Sequence, residues 1–204
     1  MDEETFVDGT PGETEQESSP TSLDIQPPAS PESPVRRREW VAFLKETLFT
    51  FLLGLLFYFV INLLTVRTTV WGYSMMPTFR GGEYLLVWRW AYWNRLPERG
   101  DIVVYRDEEA QAEYVKRVIG LPGEEVLIQN GRVFINGEPL TEPYVQERPR
   151  YEGYWKVPEG HVFLLGDNRN HSTDSHITGP VPLKNIIGKV VLIYWPPEAI
   201  RVFR

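Results

Sequence analysis

The pattern of hydrophobic and polar positions divides the chain into three parts. Residues 1–35 are rich in Pro, Ser, Thr and acidic side chains, and such a composition buries too little surface to offset the entropy of ordering. Residues 48–66, LFTFLLGLLFYFVINLLTV, carry no charge. After this run, short apolar stretches alternate with turn signals. The pattern predicts a disordered tail over residues 1–40, a membrane anchor over 41–66 and a folded domain over 67–204.

The uncharged run predicts a transmembrane helix. Its 19 residues would span about 28 Å as a helix, close to the ~30 Å hydrocarbon core of a bilayer. It is apolar on all faces, unlike most helices of soluble proteins, and no signal-peptide cleavage site follows it. The positive-inside rule places the N-terminus in the cytoplasm and residues 67–204 outside. The basic residues on which this rests are Arg36, Arg37, Arg38 and Lys45 before the run, against Arg67 and Arg80 after it.

The part after residue 67 predicts a mainly β domain with antiparallel strands. Runs such as EYLLVW, DIVVYR, EYVKRVI and GKVVLIYW are rich in Val, Ile and aromatic residues, and RGG, PERG and LPGE separate them. The segment IQNGRVFINGEPL predicts a hairpin with Asn130-Gly131 in a type I′ turn. We expect residues 125–160 to form a small inserted hairpin lobe. The fold class is therefore antiparallel β, tethered by one N-terminal transmembrane helix.

Charge and cysteine content narrow the classes of function. The net charge of −7 arises in the tail: residues 1–35 hold nine acidic residues and no Lys or Arg, so the remainder carries +2. The acidic balance therefore describes the tail and indicates nothing about the partners of the folded part. We expect no nucleic acid partner. The chain has no cysteine, which excludes disulfides, thiol catalysis and cysteine metal sites.

The segment GYSMMPTF (72–79) contains a candidate nucleophile, Ser74. A serine hydroxyl is a weak nucleophile until a neighbouring base takes its proton. One route would use a histidine with an aspartate, but no Gly-x-Ser-x-Gly elbow supports it, because Met76 stands two positions after the serine. The histidines available are His161, His171 and His176.

The second route uses a lysine made neutral by burial. In the strand EYVKRVIG, Lys116 shares a face with Tyr114 and Val118, whereas Arg117 points the other way. An apolar inward face would lower the lysine pKa, by up to ~3–5 units on complete burial. The alternative is a lysine that extends its amine to solvent.

A third segment, GDNRNHSTDSH (166–176), is polar throughout and follows a predicted strand. It is either a surface loop with Asx turns or a hydrogen-bonding frame around a site. A metal site is a further alternative, although the spacing matches no calcium-loop or zinc pattern. Its ligands would be Asp167, His171, Asp174 and His176.

Four segments, in order, resemble the bacterial-type signal peptidase I family of membrane-bound Ser/Lys endopeptidases. They are SMMPTF (74–79), RGDIVVY (99–105), YVKRVIGLPGE (114–124) and GDNRNHSTDSH (166–176). The resemblance covers roughly residues 48–196. It implies the signal-peptidase fold, cleavage of signal peptides from exported pre-proteins, and an acyl-enzyme mechanism without a cofactor or a metal.

The resemblance also implies roles for individual residues. Ser74 would be the nucleophile, Lys116 the general base, and Ser172 would donate to the lysine amine and orient it. Gly72 stands where some members have a serine that contributes to the oxyanion hole, so a second donor here either comes from the backbone or is missing. Supporting roles fall to Asp167, Arg169, Asp174 and Arg117, and Met75 and Met76 would shape shallow pockets for small substrate residues.

Three positions depart from the family pattern: Phe79, Glu124 and His176 replace the usual Leu, Asp and Arg. The last change removes a permanent charge. We therefore expect Asp174 to lose an ion-pair partner above about pH 6.5, where free histidine loses its proton.

The resemblance implies secretory pre-proteins and the lipid bilayer as partners, and we expect a monomer. The membrane would be the cytoplasmic membrane of a bacterium or a plastid membrane. Self-cleaving repressors are related Ser/Lys proteases, but they lack an anchor. A catalytically inactive, membrane-tethered β module that binds peptides or protein partners is the other alternative, and the retained Ser74 and Lys116 argue against it.

Aromatic residues cluster near the predicted end of the anchor, at Trp71, Trp88, Trp90, Tyr92 and Trp93. They are either core residues or an interfacial belt resting among the lipid headgroups.

Overall fold

A computed structural model describes residues 34–203 of the chain. Its first element is helix α1, Pro34–Leu64. The part Arg38–Leu64 is long and apolar enough to cross a membrane, and none of its apolar window is buried. Of the predicted tail, residues 1–33 lie outside the described part, and residues 34–40 are already helical. Proline fits the first helical position because its backbone angle is fixed near the helical value.

The helix ends at Leu64, two residues before the predicted end of the anchor, because Thr65 and Val66 already pair with a strand. The rest of the chain is mainly β. The strands are β1 Thr65–Thr69, β2 Tyr84–Trp88, β3 Ile102–Asp107, β4 Ala112–Gly120, β5 Glu125–Gln129, β6 Arg132–Ile135, β7 Glu138–Pro139, β8 Gly153–Lys156, β9 His161–Leu165, β10 Val181–Pro182, β11 Ile186–Trp195 and β12 Arg201–Val202. One short helix, α2, spans Ser175–Thr178.

The strands form two sheets in which every pairing is antiparallel. The larger sheet has the order β1-β2-β11-β3-β4-β9-β10, with β12 paired to β11, and the smaller has the order β7-β6-β5-β8. The hairpin β5-β6 turns at Asn130 and Gly131, whose φ angles of 51° and 70° are those that a type I′ turn requires. The prediction of a mainly antiparallel β fold is confirmed.

The core follows the alternation along the strands. In β5, Val126 and Ile128 are fully buried, whereas their neighbours Glu125 and Gln129 are exposed. The central strand β3 is buried over Ile102–Tyr105, because both of its faces are covered. One cluster of buried residues fills the larger sheet around Leu85 and Val87. A second joins the smaller sheet to β9.

The tryptophans near the end of α1 are on the surface. Trp71 is 88% exposed and Trp93 79%, and Trp88 and Trp90 are partly exposed. Tyr92 is half-buried, because its ring packs against a cluster of buried residues, and its hydroxyl donates to Asp101. The interpretation of these four indoles as core residues is therefore wrong.

Candidate active site

Ser74 lies in a compact turn that follows β1. Met75 and Phe79 anchor the turn in the core, with 2% and 1% of their surface exposed. Two backbone hydrogen bonds close it, from the Met76 amide to the Tyr73 carbonyl and from the Phe79 amide to the Met75 carbonyl. The apolar residues on either side of the serine thus fix the turn, and the Ser74 side chain stays half-buried at its surface.

Lys116 of β4 reaches the serine. Its Nζ atom lies 2.7 Å from Ser74 Oγ, and only 1% of the lysine is exposed. Burial lowers the pKa of Lys116 from 10.5 to about 8, because the charged amine loses its hydration; the carboxylates of Asp174 and Asp167 act in the opposite direction. A substantial fraction of the amine is therefore neutral near physiological pH, as a proton acceptor must be.

The polar loop after β9 packs directly against the nucleophile turn. The backbone amide of Asn168 donates to the Ser74 carbonyl at 3.0 Å, and the Asn168 side chain donates to the Tyr73 carbonyl. This approach requires glycine at position 166, since a Cβ there would lie 2.4 Å from the Ser74 carbonyl oxygen and 2.3 Å from Ser172 Oγ. Gly166 thus lets the two segments touch through their backbones.

A buried ion pair connects this loop to β4. The Arg117 guanidinium binds the Asp167 carboxylate through two hydrogen bonds of 2.8 and 2.6 Å. The Thr78 hydroxyl donates to the same carboxylate, and the ring of Tyr144 stacks under the guanidinium, 3.8 Å from its carbon. Since Arg117 and Thr78 belong to the lysine strand and the nucleophile turn, this network joins all three segments.

Arg169 is a buried cation of the polar loop itself, with 1% of its surface exposed. It forms a bidentate pair with Glu142 and donates to the carbonyl of Gly166. Glu142 lies in the segment between β7 and β8, the two edge strands of the smaller sheet. The pair therefore fixes the polar loop against that segment.

Asp174 is completely buried and caps α2. It accepts a hydrogen bond from the Gly166 amide at 2.8 Å, and its other oxygen lies 2.7 Å from Nδ1 of His176. The imidazole stacks on Tyr151 with 3.9 Å between ring centroids. A neutral imidazole that carries its proton on Nδ1 can still donate to Asp174, so this contact does not depend on charge alone.

Two predicted site residues have surroundings that differ from expectation. The Ser172 hydroxyl is buried but has no hydrogen-bond partner among the described residues, so the expected bond to Lys116 is not formed. The reason is that the lysine amine points to Ser74, while the Ser172 side chain lies against Gly166. Met75 packs into the core and cannot line a substrate pocket, whereas Met76 is 38% exposed.

The backbone amide of Ser74 is free to donate to an oxyanion. Within the described residues, the Ser74 amide donates to no acceptor. Gly72 has a φ of +85°, a conformation that a serine at that position would adopt only with strain. Glycine, which stands here where some family members have serine, is therefore the residue that this backbone conformation favours.

The other routes have no geometric support in the described part of the chain. No histidine bonds to Ser74 there: the ring of His161 contacts the Glu159 carbonyl, and that of His171 contacts Asn168. No group of three potential metal ligands occurs there either. The carboxylates of Asp167 and Asp174 are instead engaged by protein donors.

Sequence reasoning did not identify Asn168, Thr78, Glu142 or Tyr144. Asn168 was visible within the polar loop, but nothing in the pattern distinguishes it from its neighbours. Glu142 is separated from Arg169 by 27 positions, so their pairing depends on the tertiary fold. A buried arginine needs an acidic partner. That need is the signal by which an acidic residue outside the polar loop could have been expected to pair with Arg169.

The chain is similar to known peptidases. The sequence model of the family described as "Signal peptidase, peptidase S26" matches residues 38–195. A signal peptidase I of Leptolyngbya laminosa is 47% identical over 132 residues, covering 60% of this chain and 65% of that protein. A probable thylakoidal processing peptidase 2, chloroplastic, of Arabidopsis thaliana is 39% identical over 136 residues, covering 62% of this chain and 37% of that protein. A crystal structure of a signal peptidase I from Enterococcus faecalis V583 has a TM-score of 0.43 and 33% identity, covering 47% of this chain and 97% of that one.

The matched part of the chain spans 65% of the Leptolyngbya laminosa protein and 60% of a probable signal peptidase I-2 of Synechocystis sp.. The family match begins in α1, ends in β11, and includes Ser74, Lys116 and the polar loop. Since it extends over well more than half of the sequence, the chain belongs to the signal peptidase family, peptidase S26.

Proposed function

We propose that the chain is a membrane-anchored serine endopeptidase that removes N-terminal signal peptides from exported pre-proteins. The observation that carries this proposal is the 2.7 Å hydrogen bond between Lys116 Nζ and Ser74 Oγ, in a member of the signal peptidase family. A buried amine of lowered pKa next to a serine hydroxyl is a nucleophile with its base.

In the proposed reaction, the neutral amine of Lys116 takes the proton of Ser74 while Oγ attacks the scissile carbonyl. The oxyanion accepts a hydrogen bond from the Ser74 amide, which has no other acceptor in the described part of the chain. The ammonium then gives its proton to the leaving amine, and an ester to Ser74 remains. Water, deprotonated by the same lysine, hydrolyses this ester.

The supporting residues hold the two reacting atoms in place. Arg117 and Asp167 join the lysine strand to the polar loop, Asn168 holds the carbonyl of Ser74, and Asp174 holds Gly166. We assign them positioning roles. We further propose that Ser172 orients the lysine amine during the reaction, although its hydroxyl is unbonded in this structure.

The substrate preference and the location rest on the family. Its members accept small residues, usually alanine, one and three positions before the cleaved bond, and Met76 is suitably exposed to contact them. With the positive-inside rule, the β domain would face the extracytoplasmic side of a bacterial membrane, or the corresponding side of a plastid membrane. The proposed dyad is complete within one chain, so a monomer suffices, and the chemistry needs no cofactor.

The test is to incubate the purified full chain, in detergent, with a pre-protein that has one Ala-x-Ala site, and to determine the cleaved bond by mass spectrometry. Two variants serve as controls. Ser74→Ala removes the nucleophilic hydroxyl, and Lys116→Arg replaces the base by a guanidinium, which keeps its proton in proteins. We expect cleavage after the second alanine by the native chain and none by either variant. Cleavage by the Ser74→Ala variant would disprove the assignment of the nucleophile.

A further inference from the structure

A cleft with three cations and no acidic residue lies beside the end of α1. It has a volume of about 280 Å³, between the loop 89–97 and the segment 183–186. Arg89, Arg95 and Lys184 supply the charge, and Trp90, Trp93 and Leu96 supply apolar surface. It is separate from the Ser74–Lys116 site, since neither residue lines it.

Backbone contacts place this cleft next to the C-terminal end of helix α1. The backbone amide of Arg89 donates to the carbonyl of Leu64, the last residue of α1, at 3.1 Å. Trp88 pairs with Thr65, the first residue after the helix. The cleft therefore begins where the apolar helix ends, which is the level of the lipid headgroups when that helix spans a bilayer.

The three cations are available to a ligand. The Arg89 side chain makes no hydrogen bond or ion pair among the described residues. Arg95 pairs with Glu98 at 3.3 Å and Lys184 with Glu108 at 3.6 Å, but these pairs are exposed and neither acid lines the cleft. Exposed pairs of this kind contribute little, so an anion can displace the acids.

The apolar side of the cleft is also suited to an interface. Trp90 and Trp93 pack edge to face at 5.8 Å and are 45% and 79% exposed, and Leu96 is 57% exposed. Indoles are enriched at the level of the headgroups, where one edge is apolar and the other is wet. The loop that carries them is held to the core by Tyr92, whose hydroxyl donates to Asp101, itself paired with the buried Lys189.

We propose that this cleft binds the anionic headgroup of a membrane phospholipid, with its phosphate among Arg89, Arg95 and Lys184 and its acyl chains along Trp90 and Trp93. Charge complementarity supports an anion, and the contact with the end of α1 supports a lipid as its source. The proposal rests on the membrane anchor and not on the proposed peptidase activity. Binding can therefore be measured without any cleavage.

The experiment uses the full chain in an uncharged detergent, titrated with phosphatidylglycerol or with phosphatidylcholine of the same acyl chains. A ligand of the native state raises the melting temperature, and the lipid concentration at half of the maximal rise gives the apparent affinity. We expect phosphatidylglycerol to raise the melting temperature at concentrations where phosphatidylcholine does not. Equal effects of the two lipids would overturn the proposal, as would an equal effect of inorganic phosphate at the same concentration.

Two variants locate the effect in the cleft. The triple variant Arg89→Gln, Arg95→Gln, Lys184→Gln should weaken the response to phosphatidylglycerol at least tenfold, since each cation near an anionic surface contributes. Arg89→Gln alone should weaken it several-fold, and it should fold normally because it removes no bond. The matched control is Arg132→Gln, Arg148→Gln, Lys156→Gln, three exposed cations that do not line the cleft. An equal loss in the control would show that bulk charge, and not this cleft, attracts the lipid.

Discussion

The Nζ atom of Lys116 lies 2.7 Å from the Oγ atom of Ser74, although 42 positions separate the two residues. The contact joins the middle of β4 to the turn after β1. The lysine has almost no access to water, and burial lowers its pKa to about 8. The protonation of this one amine therefore governs both the proposed rate and part of the stability of the fold.

The rate of cleavage should depend on pH through Lys116. A base works only when it is unprotonated, so we expect kcat/KM to rise with pH through an apparent pKa near 8 and then to level off. The measurement is a series of initial rates on one peptide substrate between pH 6 and pH 9.5, for the full chain in detergent. A profile that is flat between pH 7 and pH 9 would contradict the role of this lysine as the base.

The stability of the protein should also reveal the buried amine. Below about pH 8 the folded state bears the cost of a charged lysine without hydration, and this cost disappears as the pH rises through 10.5, the value in the unfolded chain. The difference between the two pKa values corresponds to roughly 3 kcal/mol. Lys116→Met should therefore raise the free energy of unfolding at pH 7, by at most that amount.

The comparison is made by thermal or chemical unfolding of the native chain and the Lys116→Met variant at pH 7 and at pH 10. The advantage of the variant should shrink at the higher pH, because the native lysine then folds largely neutral. Lys156→Met, at an exposed position of β8, is the control and should show no such dependence. A constant difference at both pH values would mean that the amine is not desolvated.

The alternation along β4 correctly predicted that Lys116 faces inward, but it could not reveal the surroundings of Arg117. In the second half of the strand both faces are covered, because Lys116 through Gly120 are all buried, and Arg117 is one of them. Alternation distinguishes the two faces of a strand only when one of them is exposed to water. The bidentate pair of Arg117 with Asp167 depends on this tertiary arrangement.

The polar loop shows the same limit of prediction from the sequence pattern. Its composition left open a surface loop, a hydrogen-bonding frame or a metal site, and the structure has a hydrogen-bonding frame built on Asp167, Arg169 and Asp174. The partners of these residues come from distant segments, and the loop contacts the Ser74 carbonyl through the backbones of Gly166 and Asn168. Backbone contacts leave no pattern of side chains in a sequence, apart from the glycine that permits them.

Ser172 offers a test that separates activity from stability. Its hydroxyl is buried without a partner in the described part of the chain, so Ser172→Ala removes a desolvated polar group and should leave the melting temperature unchanged or slightly higher. If the hydroxyl binds the lysine amine only during the reaction, kcat should fall about 100- to 1,000-fold, the usual effect of losing one preorganised donor. Ser175→Ala is a useful contrast, because the hydroxyl of Ser175 accepts the Leu164 amide and its loss should lower stability. A native kcat in the Ser172→Ala variant would exclude the residue from the mechanism.

The last strand should contribute to the rate through the nucleophile turn. The Arg201 guanidinium of β12 donates to the carbonyl of Thr78, and the ring of Phe203 packs on Phe79 with 5.2 Å between centroids. Both contacts fall beyond the family match, which ends at residue 195, and both hold the turn that carries Ser74. We therefore expect Arg201→Gln to lower kcat several-fold, since a loosened turn spends less time in the reactive geometry.

This positioning role predicts a particular pattern of constants. KM should change little in Arg201→Gln, because the guanidinium reaches the turn from the side of Thr78 and not from Ser74 Oγ. Arg201→Lys should restore part of the rate, since an ammonium can also donate to the carbonyl. Phe203→Ala should lower the melting temperature as well as kcat, because it also removes apolar packing from the core. A native kcat in Arg201→Gln, measured beside Arg148→Gln as the control for lost charge, would show that the turn keeps its reactive geometry without the Arg201 hydrogen bond.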